Sequence, residues 1–167
     1  GYVRPRDPKC DPDLDPDGLY KHLSCAGLYT DIAAKTVLEG NRPYKPSTEF
    51  WSDGAEKSRW IKLPANTTID TSDPSEWKFP IGTKAWKEFR VAGKRVETRL
   101  WEKVTQTTWV NATYAWNTDE TEATLSPGGD IQLANGASYH IPTNSECQQC
   151  HRGRTDRLLG FEAVSLG

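Results

Sequence analysis

A short segment near the end of the chain, "NSECQQCHRG" from Asn144 to Gly153, carries the residue types best suited to chemistry. Cys147 and Cys150 are separated by two residues, and His151 follows directly. Two thiols at this spacing lie on one helical turn, and the imidazole that follows can reach a metal beside them. The pattern is typical of covalent haem attachment, in which both thiols bond to the haem and the histidine is the proximal iron ligand.

Three other chemistries use cysteines at this spacing. A structural zinc site needs four ligands, and the remaining candidates are Cys10, Cys25, His22 and His140. Cys10 and Cys25 are 15 positions apart, unlike the close second pair of a zinc ribbon. A thioredoxin-like redox pair follows a strand in a βαβ unit, and no such pattern surrounds the motif. Two plain disulfides would leave His151 without a role.

An iron held by His151 has either a sixth ligand or an open position. The chain contains no Met, so a His/Met pair would need sulfur from another chain. The histidine candidates are His140, seven residues before Cys147, and His22, near the N-terminus. Further alternatives for the sixth ligand are a Tyr or Lys side chain and a group from a neighbouring molecule. A second histidine favours electron transfer, whereas an open position favours ligand sensing or peroxidase-like chemistry.

Alternate aspartates near the N-terminus form a second, weaker candidate for metal binding. Asp13, Asp15, Asp17 and Gly18 match the first half of an EF-hand calcium loop. The match then fails, because Ser24 stands where a bidentate Glu is required. The sequence favours the competing interpretation, an extended Pro/Asp-rich linker held at its ends by a disulfide.

Composition limits the function classes. The 167 residues suit one domain, and the net charge of −2, with dispersed Lys and Arg, gives no reason to expect nucleic-acid binding. No stretch reaches the roughly 20 apolar residues that span a bilayer. The four cysteines form one distant and one tight pair, which fits an oxidising compartment with a structural Cys10–Cys25 disulfide.

The elements that must position the motif are predicted to be mainly strands. Residues 1–26 are predicted to form an irregular Pro/Asp-rich arm, and residues 27–167 a β-rich domain. Short helices are expected over Asp31–Glu39, around the cysteine motif, and over Arg157–Val164. Alternating runs separated by turn residues predict an antiparallel sandwich or barrel-like fold. In "TKAWKEFRVAGKRVETRLWEKV", two such runs flank "AGK" and predict a hairpin.

Several blocks of the sequence resemble a family of exported bacterial c-type haem proteins. In that family, a β-rich region with a Trp-Ser-Asp-Gly block and a Phe-Pro-x-Gly-Thr block precedes a single Cys-x-x-Cys-His site. The resemblance covers most of the chain, in order and with similar spacing. The blocks are "FWSDGAEKSRWIKLP" (Phe50–Pro64), "WKFPIGTKAWKEF" (Trp77–Phe89), "KRVETRLW" (Lys94–Trp101), "ATYAWNTDETEATL" (Ala112–Leu125) and "YHIPTNSECQQCHRG" (Tyr139–Gly153).

The resemblance implies one covalent haem c and export to the periplasm or cell surface. It carries over Cys147, Cys150 and His151 as haem-binding residues, and assigns no role to the matching Asp53–Arg59 and Glu97–Arg99 blocks. The expected function is one-electron transfer with a redox partner protein or an extracellular acceptor, with self-assembly as a further option. The alternatives are a five-coordinate haem enzyme or sensor, and a zinc- or disulfide-stabilised binding module. One of Arg152, Arg154 and Arg157 is a candidate partner for a haem propionate.

Overall fold

An open antiparallel sheet forms the centre of the molecule. The computed structural model describes residues 1–4, 10, 14–46, 55–151 and 156. Along the chain, the elements are β1 (Tyr29–Asp31), β2 (Thr36–Val37), β3 (Arg42–Pro43), β4 (Glu56–Lys62), β5 (Lys84–Val91), β6 (Lys94–Lys103), β7 (Trp109–Trp116), β8 (Ala123–Leu125), β9 (Gly129–Gln132), β10 (Ser138–Ile141) and α1 (Asn144–Cys150). A single 3₁₀ turn spans Leu23–Cys25.

Strands β3 to β8 form one six-stranded sheet in sequence order, and every neighbouring pair is antiparallel. Within the described residues the end strands β3 and β8 do not pair with each other, so the sheet is not a closed barrel. The hairpins β1–β2 and β9–β10 lie outside this sheet. The prediction of a mainly β, antiparallel, sandwich-like fold is confirmed.

The hairpin predicted around "AGK" is present, and it joins β5 to β6, the longest strand. Ala92 and Gly93 form the turn with φ values of 49° and 76°. Positive φ at both central residues matches the right-handed twist of the flanking strands, and glycine adopts it without steric strain. Strands β5 and β6 then pair over their whole length, with a register shift between Phe89 and Arg90.

The two faces of the central sheet are covered by different parts of the chain. Adjacent strand residues point to opposite faces, so Trp86 and Leu100 lie on one face and Ala85 and Trp101 on the other. We call the first the disulfide face. Its buried side chains pack with N-terminal residues, which are Cys10, Tyr20, Leu23, Ala26, Leu28, Tyr29 and Ile32. We call the second the helix face. Its cluster comprises Phe79, Ala85, Trp101, Trp109 and Cys147.

The predicted disulfide joins Cys10 and Cys25, whose Cα atoms are 5.7 Å apart. Closing a loop of this length removes freedom from the unfolded chain and stabilises the fold by about 3 kcal/mol. The described part of the N-terminal arm packs closely on the sheet. Tyr2 and Arg4 both donate hydrogen bonds to the buried carboxylate of Glu102, at 3.0 and 2.8 Å.

The helix predicted over Asp31–Glu39 is wrong. Strand β1 ends at Asp31, a turn follows, and β2 begins at Thr36. The Asp31 carboxylate accepts a hydrogen bond from the Ala34 N–H at 2.9 Å, and Lys35 has φ 60°, which stops a right-handed helix. Burial of Tyr29 and Ile32 on the disulfide face overrides the helix propensity of the segment.

Two further expectations concern helices and membrane spans. The predicted helix over Arg157–Val164 lies outside the described residues. In the part of the chain that is described, no helix is both long and apolar enough to cross a membrane.

Candidate functional site

The predicted helix at the cysteine motif is confirmed, and a capping box defines where α1 begins. The Thr143 hydroxyl accepts a hydrogen bond from the Glu146 N–H at 3.3 Å, and the Glu146 carboxylate accepts one from the Thr143 N–H at 2.7 Å. These bonds satisfy N–H groups that the first turn leaves open. The Asn111 side chain on β7 donates to the Asn144 side chain at 3.2 Å, so α1 is also attached to the sheet.

The three motif residues take different positions around the end of α1. The Cys147 side chain is buried on the helix face, whereas Cys150 is exposed, and both thiols are free. His151 forms the C-cap of α1, and its N–H bonds to the Cys147 carbonyl at 3.3 Å. Its ring stacks on Trp101 with a centroid distance of 4.4 Å and a tilt of 30°. The structure therefore brings Cys147, Cys150 and His151 together at one helix end.

The electrostatic surroundings of Cys147 favour the neutral thiol. Burial raises its pKa, and the Glu97 carboxylate adds to this effect, while Arg99 and the Thr113 hydroxyl oppose it. Thiol–disulfide exchange needs a thiolate, and redox-active cysteines have lowered pKa values. The environment of Cys147 is therefore unlike that of a thiol redox pair.

A row of three cations crosses the helix face next to Cys147. Arg59 on β4 is paired with Lys87 on β5, and Lys87 is paired with Arg99 on β6. Arg99 in turn is paired with Thr113 on β7, which interacts with the Cys147 thiol. Directly opposite side chains in a sheet have Cβ atoms about 5 Å apart, and like charges at this distance repel. We call Arg59, Lys87 and Arg99 the cation row.

Lys87 is the cation of this row whose charge is least balanced by a nearby anion. Burial, together with Arg59, Arg99 and Lys57, lowers its pKa to about 8. The Lys87 ammonium lies 5.1 Å from the centre of the Phe89 ring. Among the described residues no carboxylate forms an ion pair with it. A buried cation without a paired anion is unfavourable, so this position suits an anionic group supplied by a ligand.

The Glu97–Arg99 block, which has no role assigned from the sequence, forms part of the same surface. Glu97 is fully buried, and Arg99 forms an ion pair with it. The Tyr139 hydroxyl on β10 donates a second hydrogen bond to Glu97, at 2.9 Å. Glu97 therefore orients Arg99 and ties the β9–β10 hairpin, which leads into α1, to the central sheet.

The segment after the motif is anchored by Asp156. Its carboxylate accepts hydrogen bonds from Lys103 Nζ at 2.5 Å, Trp109 Nε1 at 3.0 Å and the Phe79 N–H at 2.8 Å. Asp156 and Lys103 are both buried. A buried ion pair with this many hydrogen bonds is a specific attachment, and it fixes Asp156 against the helix face.

His140, the first candidate for a sixth ligand, lies on β10 near the start of α1. Its Nδ1 is 2.7 Å from Asp130 Oδ1, and its Nε2 is 3.3 Å from both carboxylate oxygens of Glu146. These two carboxylates raise the pKa of His140. The ring is half exposed, and Glu146 directly precedes Cys147, so His140 lies close to the motif in space as well as in sequence.

His22, the second candidate, lies beyond the edge strand β8 of the central sheet. It forms an isolated antiparallel bridge with Thr124, and the next residue, Leu23, is fully buried in the cluster of the disulfide face. Cys147 belongs to the helix face. Strands β8 and β7 lie between His22 and β6, which carries Trp101 beneath the His151 ring, so the structure does not bring His22 and His151 together.

The aspartates proposed for calcium are described only in part. Asp13 lies outside the described residues. Asp15 Oδ1 accepts hydrogen bonds from the N–H groups of Asp17 and Leu19, at 3.0 and 2.8 Å, so its side chain stabilises its own turn. No group of three or more His, Cys, Asp or Glu side chains in the described ranges is arranged to hold a metal ion. Calcium binding stays a prediction.

The cysteine pairing bears on the zinc alternative. Cys10 and Cys25 are joined to each other on the disulfide face, and so neither is available as a zinc ligand beside Cys147 and Cys150. Of the four further zinc ligands considered from the sequence, only the histidines His22 and His140 remain.

Sequence reasoning did not find the cation row or Asp156. Arg59, Lys87 and Arg99 are distant in sequence and become neighbours only through the register of β4, β5 and β6. The signals were the two blocks with no assigned role, Asp53–Arg59 and Glu97–Arg99, which contain both arginines of the row. The arginines suggested for a propionate, Arg152, Arg154 and Arg157, lie outside the described residues.

Comparisons with protein-family models, with curated proteins and with solved structures gave no match to the chain.

Proposed function

We propose that the protein is a mono-haem c-type cytochrome that carries single electrons, with haem bound to Cys147 and Cys150 and His151 as the proximal ligand. The observation that carries the proposal is the Cys-x-x-Cys-His motif on a capped helix with both thiols free. Thioether formation consumes two thiols and leaves the imidazole for the iron.

The surrounding residues fit a haem in two respects. The group is largely apolar, and Cys147 lies in an apolar cluster with Trp101 and Trp109. The group also has two propionate carboxylates, and the cation row runs from beside Cys147 across the sheet. Lys87 and Arg99 would pair with these carboxylates, since charge-assisted hydrogen bonds to carboxylate are the strong ones.

Bound haem supplies a one-electron redox couple. The residues of the chain would bind the haem and influence its redox potential. Trp101 packs against the His151 ring and restricts its orientation. Glu97 holds Arg99, and Asp156 binds Lys103 of the sheet. Positive charge from the cation row favours the reduced form of a nearby iron centre and excludes positively charged reactants.

The proposal includes the location and the partner. The Cys10–Cys25 disulfide supports an oxidising compartment, which for a bacterial protein is the periplasm or the cell surface. The electron partner is then a redox protein or an extracellular acceptor, and a second copy of the chain is a further option. The proposed role is electron transfer rather than catalysis.

A five-coordinate haem enzyme or sensor is the second candidate function. The observation in its favour is that both ring nitrogens of His140 contact carboxylates, those of Asp130 and Glu146. A histidine held in this way leaves the sixth position open unless the contacts with Glu146 break. Ligation by His140 Nε2 would instead keep the contact with Asp130, which orients the ring as outer partners of metal-bound histidines do.

The first experiment tests haem attachment. We expect protein made in a cytochrome c maturation host to give a pyridine haemochrome spectrum of thioether-linked haem, with one haem per chain. The C147S/C150S variant loses covalent haem. The matched control is C10S/C25S, which removes the other cysteine pair and keeps covalent haem because that pair lies on the opposite face. Absence of covalent haem in the unmodified protein would overturn the proposal.

The second experiment separates the two haem functions. If His140 is the sixth ligand, visible spectra of the oxidised and reduced protein show low-spin iron, and H140Q converts it to high-spin iron. The control is H22Q, which leaves the spectrum unchanged because His22 lies beyond the edge strand β8, away from β6 and the motif. High-spin spectra for the unmodified protein would instead support the five-coordinate enzyme or sensor.

A further inference from the structure

A cleft of about 580 Å³ lies on the disulfide face, away from the cysteine motif. Its walls combine side chains of the N-terminal segment with those of β4 and β5. Pockets for small organic molecules have volumes of about 300–1,000 Å³, so the cleft is large enough for a ligand. Its aromatic and charged lining residues are Tyr2, Tyr20, Tyr29, Trp86, Lys62 and Lys84.

Two lysines form the polar end of this cleft. Lys62 on β4 and Lys84 on β5 are directly opposite each other in the sheet register. Both are half-buried, and neither forms an ion pair within the described residues. Burial lowers the pKa of Lys84, and Arg4 and Lys62 lower it further, against the influence of Glu102. Two opposed cations in a sheet repel each other unless an anion lies near both.

The nearby carboxylates are already used by other groups. Glu102 accepts hydrogen bonds from Tyr2 and Arg4, and Glu88 accepts one from the Tyr29 hydroxyl at 2.5 Å. Neither Glu lines the cleft, and no other carboxylate does so among the described residues. The Nε1–H of Trp86, a residue of the cleft wall, is buried without a hydrogen-bond partner. The charged and indole groups of the lining therefore offer donors only.

Apart from Ser24 and Thr30, the rest of the wall is mainly apolar or aromatic. Leu38, Leu63 and Pro64 line the cleft together with the tyrosine rings. At Gly27, a side chain would begin 3.6 Å from Lys84 Nζ and 4.0 Å from the Trp86 ring, so the absence of a side chain there keeps the lysine end open. Flat rings pack well against such aromatic walls.

We propose that this cleft is a binding site for a small aromatic carboxylate, with the carboxylate between Lys62 and Lys84 and the ring against Trp86 and the tyrosines. The site is independent of haem, because it lies on the disulfide face and uses none of the residues around the motif. Two lysines without an ion pair and an indole N–H without a partner favour an anion, and the aromatic wall favours a ring.

The test uses two probes of the same shape, 2-naphthoate and its neutral amide, 2-naphthamide, in calorimetric titrations of the full chain. We expect 2-naphthoate to bind at one site and at least about tenfold more tightly than 2-naphthamide, since charge-assisted hydrogen bonds are roughly twice as strong as neutral ones. We expect K84M to weaken 2-naphthoate binding about tenfold and to leave 2-naphthamide binding unchanged.

Two further variants complete the design. K62M should weaken 2-naphthoate in the same way, and K78M, at an exposed lysine outside the cleft, should have no effect. Thermal unfolding checks the fold, and K84M should not lower the midpoint, because it removes a half-buried cation without an ion pair. Equal affinity for both probes, or unchanged 2-naphthoate affinity in both K84M and K62M, would overturn the proposal.

Discussion

Lys87 shows how a single residue can be unfavourable for stability and useful for binding. It lies between Arg59 and Arg99 in the cation row, and burial lowers its pKa to about 8. The folded protein without haem therefore carries a destabilised ammonium. In the haem-bound protein, a propionate beside Lys87 would remove this penalty, so that part of the haem affinity comes from relief of repulsion.

A stability prediction follows for Lys87 in protein without haem. An unfolded lysine has a pKa of about 10.4, so between about pH 8 and pH 10 the unfolded state binds more protons. The contribution of Lys87 to the free energy of unfolding therefore rises with pH across this window. We expect K87M to be more stable than the unmodified protein at pH 7, by roughly 1–3 kcal/mol, and the difference to shrink towards pH 10.

Urea unfolding at several pH values measures this difference. K78M serves as the control, because Lys78 is exposed and should show no such trend. A K87M variant that is less stable than the unmodified protein at pH 7 would show that the packing of the lysine side chain outweighs its charge. Repulsion within the cation row would then not lower the stability of the protein.

At the scale of elements, the position of α1 depends on three attachments to the sheet. They are the Asn111–Asn144 hydrogen bond, the Tyr139–Glu97 hydrogen bond from β10, and the Asp156 contacts beyond the motif. The first two precede the cysteines, and the third follows His151. The motif is therefore held from both sides.

The Asp156 attachment gives an element-scale prediction. D156A leaves the buried Lys103 ammonium without its partner, and breaking a buried pair in this way costs about 3–5 kcal/mol. The double variant D156A/K103M removes both charges and should recover much of the loss. Thermal and urea unfolding measure both variants. Equal stability of D156A and the unmodified protein would mean that the ion pair does not anchor the tail.

The strands and the motif helix were predictable because their signals are local. Alternation and the "AGK" turn identify β5 and β6, and Thr143 and Glu146 provide the capping box of α1. The helix expected at Asp31–Glu39 failed because burial of Tyr29 and Ile32, a tertiary effect, decided the local structure. Propensity is a weak guide where packing competes with it.

Of the candidate site, only the motif residues Cys147, Cys150 and His151 were predictable from the sequence. The cysteines and the histidine are adjacent in sequence, so spacing alone identifies them. The cation row needs the pairing register of three strands, and a shift by one residue would send each cation to the other face. The cleft depends in addition on the arrangement of the N-terminal segment over β4 and β5, which no local pattern encodes.

At the scale of the whole molecule, the central sheet divides two functions. The helix face holds the motif and the cation row, and the disulfide face holds the cleft with Lys62 and Lys84. A ligand in the cleft and a haem at the motif would lie on opposite sides of the same strands. Each proposal can therefore fail without affecting the other.

The attachments near the two ends of the chain meet at one place. Arg4 binds Glu102 from the disulfide face, and Asp156 binds Lys103 from the helix face. Glu102 and Lys103 are consecutive residues of β6. Under a pulling force applied at residues 4 and 156, the shortest load path crosses a single peptide unit between two ion pairs. The contacts of Asp156 with Trp109 and Phe79 would share this load, so β6 and the residues beside it act as a mechanical clamp for both attachments.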